Sequence, residues 1–402
     1  MRRPPKILYY VQHLLGVGHV FRSMRIVRVL VERGFDVELI YGGEQLPNFD
    51  HHGARVHFLP SLTSSKGDFS KLVTGDGSVA TDEYRHIRRG RILAILAESE
   101  PDIIVTEAFP FGRRQMHFEL LPFMEAAVSM EKRPKIFASV RDILQEGNKP
   151  SKDRQTVDLL DRYFDGVLVH GDRHLISLDK TFPYTEEISG KIYYTGIVTP
   201  QTTTPQTTTP QTVPTHADKG TPIADRHFEV VVSAGGGLLG RELVLAAAEA
   251  KAGSSLDDAH WCILTGPYMD EKDRQQLSRP GIAVREFIPD LHLVLATARL
   301  SISLAGYNTV ADIMAAGCRA IMAPQWNDKE TEQLRRAELL AARGLVEMLS
   351  HEAKTAIAVR TAIDRVMAKP SPDWSSIQTN GAAVTADILQ GAFDGDDLKP
   401  FQ

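Results

Sequence analysis

Three stretches hold residues whose types and spacing suit the handling of phosphate and sugar groups. The first is His13-Leu14-Leu15-Gly16-Val17-Gly18-His19-Val20, between an apolar run and a helical pattern. Glycines there let the backbone turn sharply toward a ligand, and the helix start that follows offers N–H groups and a positive dipole end. Such a loop suits an oxyanion or a polar acceptor. It is not a dinucleotide fingerprint, because Phe21 stands where GxGxxG needs its last glycine. The second stretch is Ser233-Ala234-Gly235-Gly236-Gly237-Leu238-Leu239-Gly240-Arg241. Three consecutive glycines before a helix make an amide nest for a diphosphate, and no Gly-Lys-Ser/Thr follows as a Walker A loop requires.

The third stretch is the most specific. It comprises Glu286-Phe287-Ile288-Pro289-Asp290, then Ser303-Leu304-Ala305-Gly306-Tyr307-Asn308-Thr309-Val310-Ala311-Asp312, then Ala323-Pro324 and Glu330-Thr331-Glu332-Gln333. Asn308 is placed to cap a helix that follows a strand, and Asp312 lies one turn further along the same face. A carboxylate there can accept both hydroxyls of a ribose while the helix start points its N–H groups at phosphate. Glu332 and Gln333 open a further helix, where polar side chains can read sugar hydroxyls. Each feature also has a plain reading: a tight turn with an incidental His19, a flexible glycine turn, a solvated Asp312, and surface polar residues at Glu332 and Gln333.

These residues need a frame, and the pattern supplies one. Lys6–Gln12, Val37–Tyr41, Val56–Leu59, Asp102–Thr106, Lys135–Val140, Gly166–His170 and Ile192–Thr195 read as strands, with helices between them, notably Val20–Arg33 and Arg85–Ser99. Further on, Glu229–Ser233, Trp261–Thr265, Ala283–Phe287, Leu300–Leu304 and Ala320–Ala323 read as strands, with helices at Arg241–Lys251, Asn308–Ala316 and Glu330–Arg343. Short β-branched runs alternating with helical patterns indicate βα units and parallel sheets. Between the halves runs TPQTTTPQTTTPQTVPT, which has nothing to bury and reads as a semi-stiff solvated spacer. The predicted organisation is therefore a Rossmann-like domain over 1–198, a disordered linker over 199–222, a second Rossmann-like domain over 223–372, and a segment over 373–402 whose apolar helix, beginning near Trp374, returns to the first domain. Open parallel sheets bind ligands beyond the carboxyl ends of their strands, so two of them facing each other would make one cleft.

Composition narrows the function. With 402 residues the chain exceeds the roughly 250–300 that one core supports, so two domains are expected. Forty-six basic against 51 acidic side chains give a net charge of −5, which disfavours a nucleic-acid partner. The two cysteines, Cys262 and Cys318, lie far apart in apolar runs and suit a reducing cytoplasm. The N-terminal Met1-Arg2-Arg3 and the apolar run after it flow straight into the glycine loop without a small-residue cleavage site, against a signal peptide. Asp394-Gly395-Asp396 sits in a polar tail, and His51-His52 with His57 lacks zinc spacing, so no metal is expected. The cluster Arg85-His86-Ile87-Arg88-Arg89-Gly90-Arg91 reads as a helix with a wet start and a core-packed end, with peripheral contact to anionic lipid as the alternative.

The whole pattern resembles the family 28 group of GT-B glycosyltransferases, whose best-known member is the peptidoglycan GlcNAc transferase acting on a lipid-linked muramoyl acceptor. It is more closely similar to a bacterial group of predicted glycosyltransferases that carry the AGYNT stretch found at 305–309. The resemblance implies an α/β GT-B architecture, with two Rossmann-like domains across a cleft, and no cofactor beyond a nucleotide-sugar donor as substrate. It implies that Gly16, Gly18 and His19 form the acceptor-side glycine loop, that Gly235, Gly236 and Gly237 form the donor phosphate loop, and that Phe287 and Ile288 pack on the base. Thr309 matches a phosphate contact, and Asp312 stands at the position of a ribose-binding glutamate. Glu332 and Gln333 stand where two glutamines recognise the donor sugar, and the Glu there places a charge beside that sugar. Transfer in the family is inverting, so a base must deprotonate the acceptor hydroxyl; His19 is the first candidate and Glu107, in Thr106-Glu107-Ala108-Phe109-Pro110-Phe111-Gly112-Arg113-Arg114, the second. Arg141 and Asp142 read as an ion pair or acceptor contacts. A hydrolase or epimerase of nucleotide-sugars and a silent binding subunit are the competing readings, and the acceptor is unidentified.

Overall fold

The computed structural model describes residues 3–14, 16–46, 49–65, 71–145, 150–201, 227–235, 240–267, 269–325, 331–350 and 354–400. Most of the expected linker, and Gly236 and Gly237 of the phosphate loop, lie outside the described residues. The chain divides into two compact units, Met1–Val198 with Ile377–Gln402, and Thr199–Ser376.

The first unit runs β1 (Lys6–Val11), α1 (Gly18–Glu32), β2 (Asp36–Tyr41), β3 (Arg55–Phe58), β4 (Leu62–Ser64), β5 (Leu72–Thr74), α2 (Asp82–Ser99), β6 (Ile103–Glu107), α3 (His117–Val128), β7 (Lys135–Arg141), α4 (Pro150–Tyr163), β8 (Gly166–His170) and β9 (Ile192–Tyr194). Its parallel sheet has the order β3-β2-β1-β6-β7-β8-β9, which reverses direction between β1 and β6. The strands are apolar on both sides because both faces are covered. Leu8 and Tyr10 enter one buried cluster with Ile92, Ile95, Leu120 and Phe123, whereas Ile7, Tyr9 and Val11 enter another with Val20, Ile26, Val27 and Leu30. Burying each such side chain contributes about 1.5–3 kcal/mol. Helix α3 contains Pro122, which reads as a breaker in the pattern and hides the helix from sequence. Strands β4 and β5, which do not stand out in the sequence, pair antiparallel with Leu62 opposite Thr74.

The second unit runs β10 (Val230–Ser233), α5 (Arg241–Ala250), β11 (Trp261–Leu264), α6 (Glu271–Leu277), β12 (Ile282–Arg285), α7 (Leu291–Leu295), β13 (Leu300–Ser303), α8 (Tyr307–Ala316), β14 (Ala320–Met322), α9 (Glu332–Ala342), β15 (Glu347–Met348) and α10 (Ala356–Met367). Its parallel order is β12-β11-β10-β13-β14-β15, with the reversal between β10 and β13. The last helix, α11 (Gly381–Asp394), belongs to the first unit: Ala386 and Leu389 pack into the α1 cluster, and an antiparallel bridge joins Val198 to Asn380. No helix among the described residues is long and apolar enough to cross a membrane.

In both units the reversal leaves a crevice at the carboxyl edge where adjacent crossovers depart in opposite directions. The loops that leave β1 and β6, and those that leave β10 and β13, are the ones that matter below.

Candidate functional site

In the first unit, β1 delivers the glycine loop and β6 ends on Glu107. Gly16 is exposed in the turn, Gly18 is the first residue of α1, and His19 follows it. Because β1 and β6 are neighbours, α1 starts beside the end of β6. The His19 Nδ1–H donates to Glu107 Oε1 at 2.9 Å. His19 keeps 24% of its side chain exposed, while Glu107 is fully buried. Arg22, one turn along α1, pairs with the same Glu107 oxygen, and Ser23 Oγ and Ser139 Oγ donate to the other at 3.3 and 3.0 Å. Burial alone would raise the Glu107 carboxyl, but Arg22 and the His19 hydrogen bond outweigh it and hold it well below the usual range. Burial lowers His19 to about 3 against the opposing pull of Glu107, so its ring is neutral near pH 7.

That arrangement fixes a tautomer. An ionised carboxylate only accepts, so Nδ1 of His19 carries the proton and Nε2 presents a lone pair. The same logic runs inward. Ser139 gives its proton to Glu107, so His170 Nε2–H donates to Ser139 Oγ at 2.9 Å and Thr195 Oγ–H donates to His170 Nδ1 at 2.9 Å. Tyr9 O–H adds a bond to Ser139 Oγ at 3.3 Å. His170 is wholly buried, and burial lowers it to about 3, consistent with a neutral ring.

A second buried network holds the surrounding loops. Arg88 makes a two-pronged bond to Glu119 at 2.8 and 2.7 Å, reaches Gly42 O and Pro60 O, and meets Gln12 Oε1 at 3.0 Å. Gln12 in turn donates to His13 O and Leu62 O, each at 2.8 Å. Arg88 therefore does not contribute to any lipid-facing surface of the Arg85–Arg91 cluster; its charge is spent inside. Arg141 ends β7, and the buried Asp142 accepts from Ile143 N–H at 2.9 Å.

In the second unit the loop leaving β10 is pinched shut at its base: a Cβ on Gly240 would stand 2.6 Å from Ala234 Cα. Gly235 adopts φ +63°, a region open to glycine at no steric cost, and donates to Ser233 Oγ at 3.3 Å. The neighbouring loop leaves β13 and opens α8. Its cap is Gly306, not Asn308, which corrects the expectation above: Asn308 lies in the first helical turn, after Tyr307. The helix starts two residues earlier than a cap at Asn308 would place it, so the N–H groups of Tyr307, Asn308 and Thr309 form the turn that a helix does not bond internally. Asp312 is buried on the same helix.

Gln333 and Glu332 turn out to be braced against the chain itself. Gln333 Oε1 accepts from Ala305 N–H and Gln325 N–H, each at 3.2 Å, stapling the loops after β13 and β14. Its Nε2 has no protein partner among the described residues. Glu332 is buried and pairs with Arg336 at 2.7 Å, and Arg336 also donates to Ala305 O at 2.9 Å and stacks over Tyr307. The carboxylate expected beside a donor sugar is thus committed to an arginine. Strand β12 stops at Arg285, short of the expected Phe287, because the chain leaves the ladder for the α7 turn. Phe287 is 64% exposed and Ile288 buried. Among the described residues, no three His, Cys, Asp or Glu side chains group to hold a metal ion.

Arg22, Ser23, Ser139 and His170 were missed from sequence. A signal existed for the first two: His19, Arg22 and Ser23 share one helical face with core residues Ile26 and Val27.

Residues 230–388 match the family model described as the glycosyltransferase family 28 C-terminal domain. No curated protein matches the chain by sequence. Among solved structures, the calicheamicin glycosyltransferase CalG4 superposes with a TM-score of 0.62 at 18% identity, covering 98% of this chain and 99% of that one. MurG of Acinetobacter baumannii gives 0.57 at 15% identity, covering 96% and 99%. Glycosyltransferase VinC, solved with dTDP, gives 0.56 at 13% identity, covering 97% and 95%. With two parallel sheets that each reverse order once, the chain has the GT-B fold of these glycosyltransferases, and its second half matches the C-terminal domain of glycosyltransferase family 28.

Proposed function

We propose that this enzyme moves a sugar from a nucleoside diphosphate sugar, with UDP as the first base to test, to a hydroxyl acceptor, with inversion and without a metal. The observation that carries the reading is the His19–Glu107 hydrogen bond at the crevice edge of the first sheet. In this reaction the acceptor oxygen gives its proton to His19 Nε2 as it attacks the anomeric carbon. The bond from that carbon to the diphosphate oxygen breaks, and the diphosphate leaves with the electron pair. Glu107 is out of reach of an acceptor and serves to orient the ring and stabilise the imidazolium that forms.

The leaving diphosphate would lie on the Gly235 loop and the first turn of α8, where amides and the helix dipole answer its charge. Asp312 would hold the ribose hydroxyls, Phe287 and Ile288 the base, and Gln333 Nε2 a hydroxyl of the donor sugar. Support for a nucleoside diphosphate comes from these amide-rich turns and from VinC, a protein of similar fold solved with dTDP. Two free, buried cysteines, Cys262 and Cys318, suit a cytoplasmic site of reaction.

A thermal-shift screen of nucleotide-sugars tests this. A true donor at about 100 times its dissociation constant should add roughly 2.7 kcal/mol of stability. No stabilisation by any nucleoside diphosphate or its sugars would refute the reading.

A further inference from the structure

Near His19 stands a cation with no acid of its own among the described residues. Glu107 is taken by Arg22 and Glu119 by Arg88. Arg113 is left over: its side chain makes no hydrogen bond or ion pair among the described residues, and its Nε is buried without a partner. A partly buried guanidinium without a paired carboxylate is costly and is seldom kept unless something answers it.

Its placement is deliberate. The loop after β6 folds back on itself, with Gly112 N–H donating to Ala108 O at 2.6 Å. Ala108 and Arg113, both non-glycine, take φ of +67° and +60° at its two ends. Backbone held in that region clusters at ligand clamps. Arg113 therefore stands just beyond Glu107, with Arg141 at the end of the adjacent β7. Its charge is close enough to push the His19 and His13 rings down, while burial and the nearby Arg141 and Arg22 lower Arg113 itself against the pull of Glu107.

We propose that Arg113 binds an oxyanion, a phosphate or carboxylate, carried by the acceptor, so that the enzyme glycosylates an anionic substrate. This rests on the transferase reading above. The planar fork matches either oxyanion with paired N–H bonds. The acceptor is chosen over the donor because the second unit has its own helix-start amides for the donor diphosphate, whereas Arg113 lies in the loop that leaves the strand ending on Glu107, the partner of the proposed base.

Inorganic phosphate titrated calorimetrically into the full-length chain, in the presence of saturating UDP, tests it. Wild type should bind phosphate, Arg113→Met should bind it at least tenfold more weakly, and Arg113→Lys, which keeps the charge, should fall between. UDP affinity should be the same in all three proteins, and thermal unfolding run alongside reports whether each variant is folded. Phosphate binding equal in Arg113→Met and wild type would overturn the proposal, as would failure of wild type to bind phosphate. A tenfold loss of UDP affinity in Arg113→Met would overturn it too, by assigning the arginine to the donor. If UDP itself does not bind wild type, the transferase reading loses its donor, and the titration repeated with phosphate alone still judges Arg113.

Discussion

The crevice edges of the two sheets are built from the same topology and are finished in opposite ways. In the first unit the chemistry is in side chains: His19, Glu107, Arg22, Ser139 and His170 form one hydrogen-bonded chain from the surface to the interior. In the second unit the backbone takes that place: Gly306 caps α8 and leaves the first-turn N–H groups outside the helix's own bonding, and the long side chains Gln333 and Arg336 hold the loop before it through Ala305. A base needs a tuned proton, which only side chains supply. A diphosphate needs several short donors at once, which the main chain supplies best.

If that contrast is right, the largest effect should come from Glu107→Gln. It leaves Arg22 without its carboxylate, and removing one partner of a buried pair costs about 3–5 kcal/mol. It also turns the His19 ring partner into an amide. Denaturant unfolding should show the loss of stability, and turnover should fall by about 10²-fold or more. Unchanged stability would mean that the carboxylate does not anchor the first site.

Next in size is Gln333→Ala. Two backbone N–H groups lose their acceptor, at about 1–3 kcal/mol if they stay buried. The contrast predicts weakened donor binding with little change in the turnover of bound substrate. A loss confined to turnover would make Gln333 part of the chemistry instead.

The third effect is a pH slope. His19 and His170 are lowered to about 3 in the folded chain, against an ordinary value near 6.5. Below that ordinary value the unfolded chain takes up protons that the folded one refuses, so stability is full above about pH 6.5 and declines on acidification toward pH 3. Unfolding free energies between pH 7 and pH 5 should fall, and His170→Asn should flatten the slope. A stability that rises on acidification over this range would contradict the buried neutral rings.

The smallest effect is expected at Arg85, which is half-exposed, pairs with the exposed Asp82 one turn away at 3.2 Å and lies over the Phe118 ring. Arg85→Ser should shift stability by less than about 0.5 kcal/mol, whereas Arg88→Ser should unfold the loop hub around it.

Much of the scaffold could be read from sequence because each strand is a short apolar run bounded by turn residues, as in Gly166–His170, and because glycine punctuates the loops that matter. Strand ends were overrun by one or two residues, as at Arg285, since apolar residues such as Phe287 continue past the last ladder bond. Helix α3 was hidden by Pro122 and the β4–β5 pair by its shortness. The pairing of His19 with Glu107 was beyond local pattern altogether: 88 residues separate them, and only the reversal between β1 and β6 makes them neighbours. Glu332 read as a sugar contact because it opens a helix after a strand and, by the resemblance, stands at a sugar-recognising position; its pairing with Arg336 one turn along was hidden because that spacing is equally common on solvated faces.

The most direct test of the account is His19→Ala, assayed with the donor that the thermal-shift screen identifies. Removing the imidazole should leave donor affinity within about twofold while lowering sugar transfer by about 10²–10⁴-fold, the usual worth of a general base. Transfer by His19→Ala at a rate near wild type would contradict the claim that this ring, held by Glu107, takes the acceptor's proton.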